Sequence, residues 1–196
     1  MRDRIKMLYL IRHGQTELNW AGRLQGSLDS PLTDRGQEQA HAVGEKLKTE
    51  IGTQPVTLWV SPLGRAQQTA GIIQEYIKPS DIQTDTRLAE ISLGDWEGMR
   101  MEDIEFTHPG ILDGSDRFDW AYRAPGGETR EAFLARLKDW LNNIEQADTV
   151  AIAVSHGWSG MGLRSLYTGQ PFAEVSARGD SHEAVFEFSE GKLREF

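Results

Sequence analysis

Cysteine is absent from the 196 residues of the chain, which excludes disulfide bonds and thiolate chemistry. Long apolar runs are absent as well. No stretch approaches the ~20 residues of a membrane-spanning helix, and the apolar stretch near the N terminus is too short for the core of a secretory signal. Because a lack of cysteine fits any compartment, it is the missing signal that predicts a cytoplasmic location, with no membrane partner.

Basic residues are too few to balance the acidic ones. Lysine and arginine number 21 against 30 aspartates and glutamates, so the formal net charge is −9. Binding to a nucleic-acid backbone needs a basic surface, and the sequence therefore argues against a nucleic-acid partner. A small phosphorylated metabolite remains compatible as a ligand, because the charge inside a pocket need not follow the sign of the whole chain.

Short apolar runs alternate with amphipathic stretches along the chain. The runs predict strands at residues 7–11, 56–60, 82–84, 150–154 and 184–188. Between them, apolar spacing and capping residues predict helices over 33–49 and 64–77, from about 128 onward, and from 156 to about 169. This alternation predicts an α/β fold, a three-layer α/β/α sandwich whose central sheet is mostly parallel, with one antiparallel edge strand.

The chain shows no repeat, linker or low-complexity tract, and a single domain over residues 1–196 is expected. Residues 92–127 are long and irregular, which predicts an insertion or lid over the edge of the sheet. Four aromatic side chains of this insertion are candidates to line a pocket, although packing is the commoner role of such residues: Phe106, Phe118, Trp120 and Tyr122.

Charged and ionisable residues follow four of the predicted strands. Arg12 and His13 end the first strand, and Arg65 lies just beyond the second. Glu90 follows the third strand, and His156 ends the fourth. Ligands of open α/β sheets bind at the carboxyl ends of the strands. The pattern therefore predicts that two arginines, two histidines and one carboxylate meet at one edge of the sheet.

Each candidate also has a purely structural interpretation. A single histidine is more often a core residue, and most glutamates are surface charges, so Glu90 is the weakest candidate, with Glu97 as a lesser rival. Arg65 stands in the first turn of a predicted helix, where its charge opposes the helix dipole. A local rule broken in this way points to a functional site. Gly157 opens another helix, whose backbone N–H groups suit an anion.

The other three histidines are predicted to lie outside the site. His41 falls off the apolar face of its helix, and His108 lies in the insertion. His182 precedes the last predicted strand and could reach the edge of the site, but is expected not to. The five histidines show no metal-ligand spacing, so the sequence predicts neither a metal nor another cofactor.

Five blocks of residues stand out along the chain. They are LIRHGQT at 10–16, SPLGRAQQTA at 61–70, LAEI at 88–91, LGDWEG at 93–98 and SHG at 155–157. In this order the blocks resemble the signature of the histidine phosphatase superfamily, also called phosphoglycerate mutase-like. The resemblance covers most of the chain and implies the fold predicted above, whereas residues 99–124 match least.

The resemblance implies a phosphoryl-transfer site. His13 would attack phosphorus and form a phosphohistidine, which water then hydrolyses. Glu90 would give a proton to the leaving oxygen and then serve as base for the water. The other candidates would hold the phosphoryl group or the adjoining part of the ester: Arg12, Arg65, His156, Gly14, Asn19, Gln25 and Gly157.

Hydrolysis is favoured over mutase chemistry. Residues 23–26 and 31–33, with the short segment after the last strand, resemble the phosphatase branch. They predict a metal-independent phosphomonoesterase that acts on a small phosphorylated metabolite. The alternative is a cofactor-dependent phosphoglycerate mutase-type phosphotransferase, in which Arg100, Arg117 and Arg123 would hold a substrate carboxylate.

Two further classes are weighed against hydrolysis. A non-catalytic phospholigand-binding module is disfavoured because His13 and Glu90 are both present. A protein-phosphohistidine phosphatase needs an open cleft, and the long insertion argues against one. Formation of a homodimer stays open at this point.

Overall fold

A six-stranded sheet carries the fold, which a computed structural model describes over residues 7–114, 119–144, 149–177 and 181–196. The strands are β1 (Leu8–Arg12), β2 (Val56–Val60), β3 (Asp81–Thr84), β4 (Val150–Ser155), β5 (Val185–Ser189) and β6 (Lys192–Glu195). The α-helices within the same residues are α1 (Glu17–Trp20), α2 (Asp34–Ile51), α3 (Gly64–Ile77), α4 (Met101–Thr107), α5 (Arg130–Ile144), α6 (Gly157–Thr168) and α7 (Phe172–Ser176). Short 3-10 turns occupy Thr86–Leu88, Gly94–Trp96 and Trp120–Arg123.

The strands lie in the order β3-β2-β4-β1-β5-β6 across the sheet. Strands β1 to β4 are parallel, β5 is antiparallel to β1, and β6 is antiparallel to β5. The predicted mostly parallel sheet with an antiparallel edge is confirmed, although that edge is a hairpin of two strands. Strand β6 was not predicted, because its sequence KLRE is short and mostly charged and shows no apolar run.

The central strands present alternate residues to two apolar cores, as the period of a strand requires. In β4, Ala151 and Ala153 face one core, whereas Val150, Ile152 and Val154 face the other. The first core contains apolar residues of α5 and α6, and the second contains those of α2 and α3. Helices therefore cover both faces of the sheet, and the predicted three-layer architecture is confirmed.

The predicted helices begin and end near the expected residues for local reasons. Thr33 caps α2, because its Oγ1 accepts the Gly36 N–H at 3.1 Å. Helix α3 is followed by Lys78 in a left-handed conformation, with φ of 43°, and then by Pro79, which cannot continue a helix. None of the described helices is both long and apolar enough to span a membrane.

The segment predicted as an insertion packs on one face of the sheet. Five of its side chains are buried in the core that α5 and α6 share: Leu93, Trp96, Ile104, Ala121 and Ala124. The segment also contains α4, which the sequence did not reveal because only one of its residues is buried. Residues 115–118 lie outside the described part of the chain, and the lid and the single domain stay predictions.

Two glycines allow the loop after β1 to touch the start of α2. A Cβ atom added to Gly14 would lie 2.2 Å from the Gly36 carbonyl oxygen. A Cβ atom added to Gly36 would lie 2.0 Å from the Gln15 carbonyl oxygen. Both neighbours are backbone atoms that cannot rotate away, so this approach between the loop and the helix requires glycine at both positions.

The substitution Gly36→Ala is expected to destabilise the fold by about 1–3 kcal/mol, because the added methyl group overlaps backbone atoms. Gly71→Ala is a matched control inside α3, where the nearest atom, Gln74 Nε2, would lie 3.9 Å from the new Cβ. Alanine at that position should be neutral or stabilise the helix by up to ~1 kcal/mol. Urea unfolding measures both changes, and equal midpoints for the two variants would contradict the close approach.

Candidate active site

Two histidines leave the carboxyl ends of adjacent parallel strands side by side. Arg12 of β1 is in register with Ser155 of β4, so His13 and His156 each follow a paired position. The His13 N–H donates to the Ser155 carbonyl at 3.0 Å, which extends the ladder by one residue. The two imidazole centroids are 5.1 Å apart, and both side chains are buried.

The Arg65 side chain lies between these two imidazoles and is itself fully buried. Its Nε is 3.2 Å from His13 Nε2 and 3.2 Å from His156 Nδ1. Its two terminal nitrogens donate to the carbonyls of Leu28 at 2.7 Å and Gly26 at 2.8 Å. Burial lowers the pKa of Arg65 from its ordinary value, with the charges of Glu90 and Asp29 opposing that shift.

Asp29 explains how a cation is tolerated in the first turn of α3. Its carboxylate accepts the N–H of Gly64 and, at 3.1 Å, the N–H of Arg65, so it caps the helix from a distant loop. The same carboxylate lies 3.7 Å from Arg65 Nη1. The negative charge therefore compensates both the helix dipole and the guanidinium, which the sequence alone did not reveal.

Hydrogen bonds fix the tautomer of each imidazole. His13 Nδ1 lies 2.8 Å from the Gly14 carbonyl oxygen, which can only accept, so Nδ1 carries the proton and Nε2 keeps its lone pair. Burial, followed by the charges of Arg12 and Arg65, holds the pKa of His13 well below its usual 6.5. His156 accepts from Arg65 through Nδ1 and bonds Ser61 Oγ through Nε2 at 2.7 Å.

Burial also holds the pKa of His156 well below 6.5, and the nearby charges of Arg65 and Arg12 act in the same direction. Both imidazoles are therefore neutral at neutral pH. A neutral His13 with Nε2 unprotonated has the form that a nucleophile requires.

The Glu90 carboxylate occupies the start of α6. Its Oε2 accepts the Trp158 N–H at 3.1 Å, and its Oε1 accepts the Ser159 N–H at 3.0 Å. The sequence had predicted an external anion at this helix start, next to Gly157. The structure places the protein's own carboxylate on the next two N–H groups, where the helix dipole favours a negative charge, and the contact expected of Gly157 stays a prediction.

Arg136 holds the loop that carries Glu90. Its Nη1 donates to the carbonyls of Arg87 at 2.7 Å and Ala89 at 2.8 Å, and its Nε and Nη2 bind the Glu128 carboxylate at 2.7 and 2.8 Å. The loop is therefore fixed by a guanidinium whose own charge is paired.

A cavity of about 160 Å³ opens onto this cluster. Its polar lining is Arg12, His13, Asn19, Arg23, Gln25, Arg65 and Glu90, with Gly26, and its apolar lining is Leu24, Ile91, Leu93, Trp120 and Trp158. Most predicted site residues are thus brought together around one cavity. His156, Gly14 and Gly157 are buried and do not appear in its lining, so their expected contacts with phosphate stay predictions.

Asn19 and Gln25 line the cavity for a reason visible in their contacts. Thr16 Oγ1 lies 3.1 Å from Asn19 Oδ1 and 3.0 Å from Gln25 Oε1, which joins both side chains to the cap of α1. Gly14, by contrast, donates its N–H to Thr69 Oγ1 at 3.1 Å. Its backbone amide is therefore already bonded inside the protein.

The rival residues serve structural contacts. Glu97 Oε1 accepts the N–H groups of Ser27 at 2.8 Å and Leu93 at 3.0 Å, and the side chain does not line the cavity. Arg123 donates to two backbone carbonyls and pairs with Asp119 at 3.5 Å. Arg100 is exposed at the start of α4. Neither of these two arginines lines the cavity, and Arg117 lies outside the described residues.

The four aromatic candidates of the insertion separate into different environments. Trp120 lines the cavity at His13, and Tyr122 lines a second, larger cavity of about 450 Å³. Phe106 is 86% exposed, and Phe118 lies outside the described residues. Among the three of these aromatics that the structure describes, Trp120 alone lines the cavity at the candidate site.

His182 does contact the site, and the expectation that it would not is wrong. Its Nδ1 lies 2.6 Å from the His13 carbonyl oxygen and donates to it, whereas His41 and His108 are exposed as expected. Burial, followed by the charge of Arg12, lowers the pKa of His182 to about 4. The strand topology could have predicted this contact. Because β5 runs antiparallel to β1, the residues that precede β5 lie beside the end of β1.

Metal ligands do not cluster in the described part of the chain, where no group of three or more His, Cys, Asp or Glu side chains could hold an ion. Positive charge at the cavity comes from arginines instead.

Fold and site together define an α/β protein with a buried histidine–arginine cluster suited to an anion. A model of the histidine phosphatase superfamily (branch 1) matches residues 8–188, and the chain belongs to this family.

Named relatives share most of the chain. It is 34% identical over 180 residues to a glucosyl-3-phosphoglycerate phosphatase of Mycolicibacterium vanbaalenii, covering 86% of this chain and 76% of that protein. It is 34% identical over 156 residues to a protein of Photorhabdus laumondii named probable phosphoglycerate mutase, and the match covers 76% of this chain and 69% of that protein. The structure of a mycobacterial glucosyl-3-phosphoglycerate phosphatase with VO3 superposes with a TM-score of 0.75 at 29% identity. The superposition covers 97% of this chain and 96% of that one. The phosphatases among these are consistent with a phosphoric monoester hydrolase.

Replacing His182 should slow turnover without weakening substrate binding. In His182→Leu the His13 carbonyl loses its donor, and a small displacement of His13 is expected to lower kcat about tenfold or more. His182→Asn is the matched variant, because its amide N–H can reach the same carbonyl, and it should restore most of kcat. Steady-state kinetics on an aryl phosphate measure kcat and KM separately. Equal kcat for wild type and Leu, or a change in KM alone, would contradict this role.

Proposed function

We propose that the protein is a metal-independent phosphomonoesterase that acts through a phosphohistidine on a small phosphorylated metabolite. The observation that carries this proposal is the state of His13, whose Nε2 is unprotonated, lines the cavity and faces the Arg65 guanidinium. A nucleophile and a fixed cation at one point suit attack on a phosphoryl group.

The first step transfers the phosphoryl group to the protein. His13 Nε2 forms a bond to phosphorus while the bond from phosphorus to the ester oxygen breaks, and that oxygen keeps the electron pair. Negative charge is spread over the outer phosphoryl oxygens. Arg12 and Arg65 line the cavity and supply positive charge there, and the side-chain amides of Asn19 and Gln25 supply further polar contacts. His156 acts through Arg65, which it contacts at 3.2 Å.

Proton transfer falls to Glu90, the carboxylate of the cavity lining. An incoming phosphate anion beside this carboxylate favours uptake of a proton, because two like charges in contact repel. Glu90 then gives that proton to the leaving oxygen. In the second step it takes a proton from water as the water oxygen bonds to phosphorus and the bond to His13 breaks.

Hydrolysis is supported over the mutase alternative by the positions of the arginines. Of the three candidates for holding a substrate carboxylate, Arg100 and Arg123 do not line the cavity, and Arg117 lies outside the described residues. A relative named probable phosphoglycerate mutase keeps the alternative in view, whereas relatives named glucosyl-3-phosphoglycerate phosphatases favour hydrolysis of a small phosphorylated metabolite.

Rapid quenching with labelled aryl phosphate should trap an acid-labile phosphoryl adduct on His13. The adduct and turnover should both disappear in His13→Ala, and turnover of the wild type should persist in a chelator, because arginines rather than a metal supply the charge. His41→Ala is the matched control, since this histidine is exposed and should leave both signals unchanged. Activity that needs an added divalent ion, or an adduct mapped to another residue, would contradict the mechanism.

Glu90→Gln should slow esters with poor leaving groups far more than an activated aryl phosphate, whose leaving group needs little protonation. Loss of a general acid costs about 10²–10⁴-fold for the poor leaving group. Glu97→Gln is the matched control, because Glu97 also accepts backbone N–H groups but does not line the cavity. It should change the unfolding temperature without any dependence on leaving group. Equal losses on both ester types in Glu90→Gln would remove this residue from proton transfer.

A further inference from the structure

The N–H group at Nε of Arg65 has one hydrogen and two acceptors. Nε lies 3.2 Å from His13 Nε2 and 3.2 Å from His156 Nδ1. An arginine can only donate, so each of these imidazole nitrogens presents a lone pair to it. The two acceptors compete for the shared hydrogen, as in any three-centre bond. Whatever controls how His156 Nδ1 accepts therefore also controls how Arg65 contacts His13.

The second ring nitrogen of His156 identifies a residue with that control. A neutral imidazole whose Nδ1 accepts carries its proton on Nε2. His156 Nε2 lies 2.7 Å from Ser61 Oγ, so its N–H donates to the hydroxyl oxygen. Ser61 is 0% exposed and His156 is 1% exposed. Bulk water therefore does not reach this contact to replace the hydroxyl as acceptor.

Ser61 is itself held in place as an acceptor. Its backbone N–H donates to the Val154 carbonyl at 3.0 Å, directly after the paired strands β2 and β4, and its carbonyl accepts from Gln67 Nε2 at 2.7 Å. Its Oγ also accepts the Leu63 N–H at 3.3 Å. A hydroxyl oxygen has two lone pairs. The amide of Leu63 uses one of them, and His156 uses the other.

Loss of this hydroxyl would leave His156 with two unfavourable states. If the proton stays on Nε2, a buried N–H group lacks its acceptor, which is costly. If the proton is on Nδ1 instead, that N–H faces the Nε–H of Arg65, and two donors repel each other. Neither tautomer is then clearly preferred, so both are expected to be populated. The second tautomer displaces Arg65 from the position in which it contacts His13.

We propose that Ser61 is a positioning residue, which acts through His156 on Arg65 and thereby on His13. By accepting the Nε2–H, Ser61 holds His156 in the tautomer that can share the hydrogen of Arg65. The effect on turnover rests on the proposed hydrolysis, whereas the tautomer is a property of the protein without substrate.

Nitrogen-15 NMR of the histidine side chains tests the tautomer. At neutral pH the wild type should show His156 with a protonated Nε2 and an unprotonated Nδ1, and these signals are assigned by their absence from His156→Gln. Ser61→Ala should shift at least part of the proton to Nδ1. Ser61→Thr keeps a hydroxyl group and should restore the wild-type pattern. A proton on Nδ1 in the wild type, or an unchanged spectrum in a folded Ser61→Ala, would overturn the proposal.

Turnover shows whether this tautomer matters for the reaction. Ser61→Ala should lower kcat on an aryl phosphate about tenfold, because Arg65 and His13 lose their alignment, and Ser61→Thr should restore most of it. Thr57→Val is the matched control, since it removes a largely buried hydroxyl of β2 that bonds Thr149 Oγ1 at 3.0 Å. It should change neither kcat nor the His156 signals.

The possible failures are distinguishable. Full kcat in a folded Ser61→Ala with an altered tautomer would overturn the action of Ser61 on the reaction. A wild type that releases no phosphate from any ester would overturn the proposed function, while the spectrum would still decide the tautomer. If Ser61→Ala does not fold, the wild-type spectrum and the kcat of Ser61→Thr decide the question, and a proton on Nδ1 counts against the proposal.

Discussion

The buried Arg65 guanidinium is the constraint on which the rest of the site depends. Removing a charge from water costs several kcal/mol unless the surroundings replace its hydration. Here two carbonyls, two imidazole nitrogens and the Asp29 carboxylate replace it. The loop that contains Gly26 and Leu28 must wrap around the guanidinium for this to happen. One fixed cation therefore constrains the path of a loop, and its charge adds to the burial that lowers the pKa of both histidines.

A neutral His13 follows directly from that arrangement. Its Nε2 accepts from Arg65 Nε at 3.2 Å, and this contact occupies the lone pair that the proposed attack would use. A phosphoryl oxygen that enters the cavity can accept the same Arg65 Nε–H. The exchange would release the lone pair at the moment when phosphorus arrives beside it. In the proposed mechanism, the contact between Arg65 and His13 would thus keep His13 oriented and unprotonated until a substrate replaces it.

The sequence could predict the convergence of the site because each main residue follows an apolar run. His13 and His156 leave neighbouring parallel strands, and Arg65 leaves the next strand. To predict this part of the site, it is enough to know the direction of each strand and that ligands of open α/β sheets bind at the carboxyl ends of the strands. The family blocks then assigned chemical roles to the same positions, and those roles are still untested.

Contacts between distant segments were beyond prediction. Asp29 caps α3 although it lies 36 residues before Arg65 in the sequence, and His182 donates to the His13 carbonyl from 169 residues further along the chain. Neither residue has a local pattern that distinguishes it from a surface charge or a loop histidine. Helix α4 and strand β6 were missed for a related reason, because short, mostly exposed elements show no apolar period.

Two helices begin at the site, and both use an anion that the protein supplies. Asp29 accepts the first N–H groups of α3, and Glu90 accepts those of α6. The sequence interpretation had assigned the start of α6 to an external phosphate, as helix dipoles often bind such ions. With these backbone donors occupied, the positive charge of the cavity lining comes from the side chains of Arg12, Arg23 and Arg65. In the proposed mechanism, a proton taken up by Glu90 would weaken the bonds that its carboxylate accepts from the N–H groups of Trp158 and Ser159, so proton transfer would act on the start of the helix that carries Trp158.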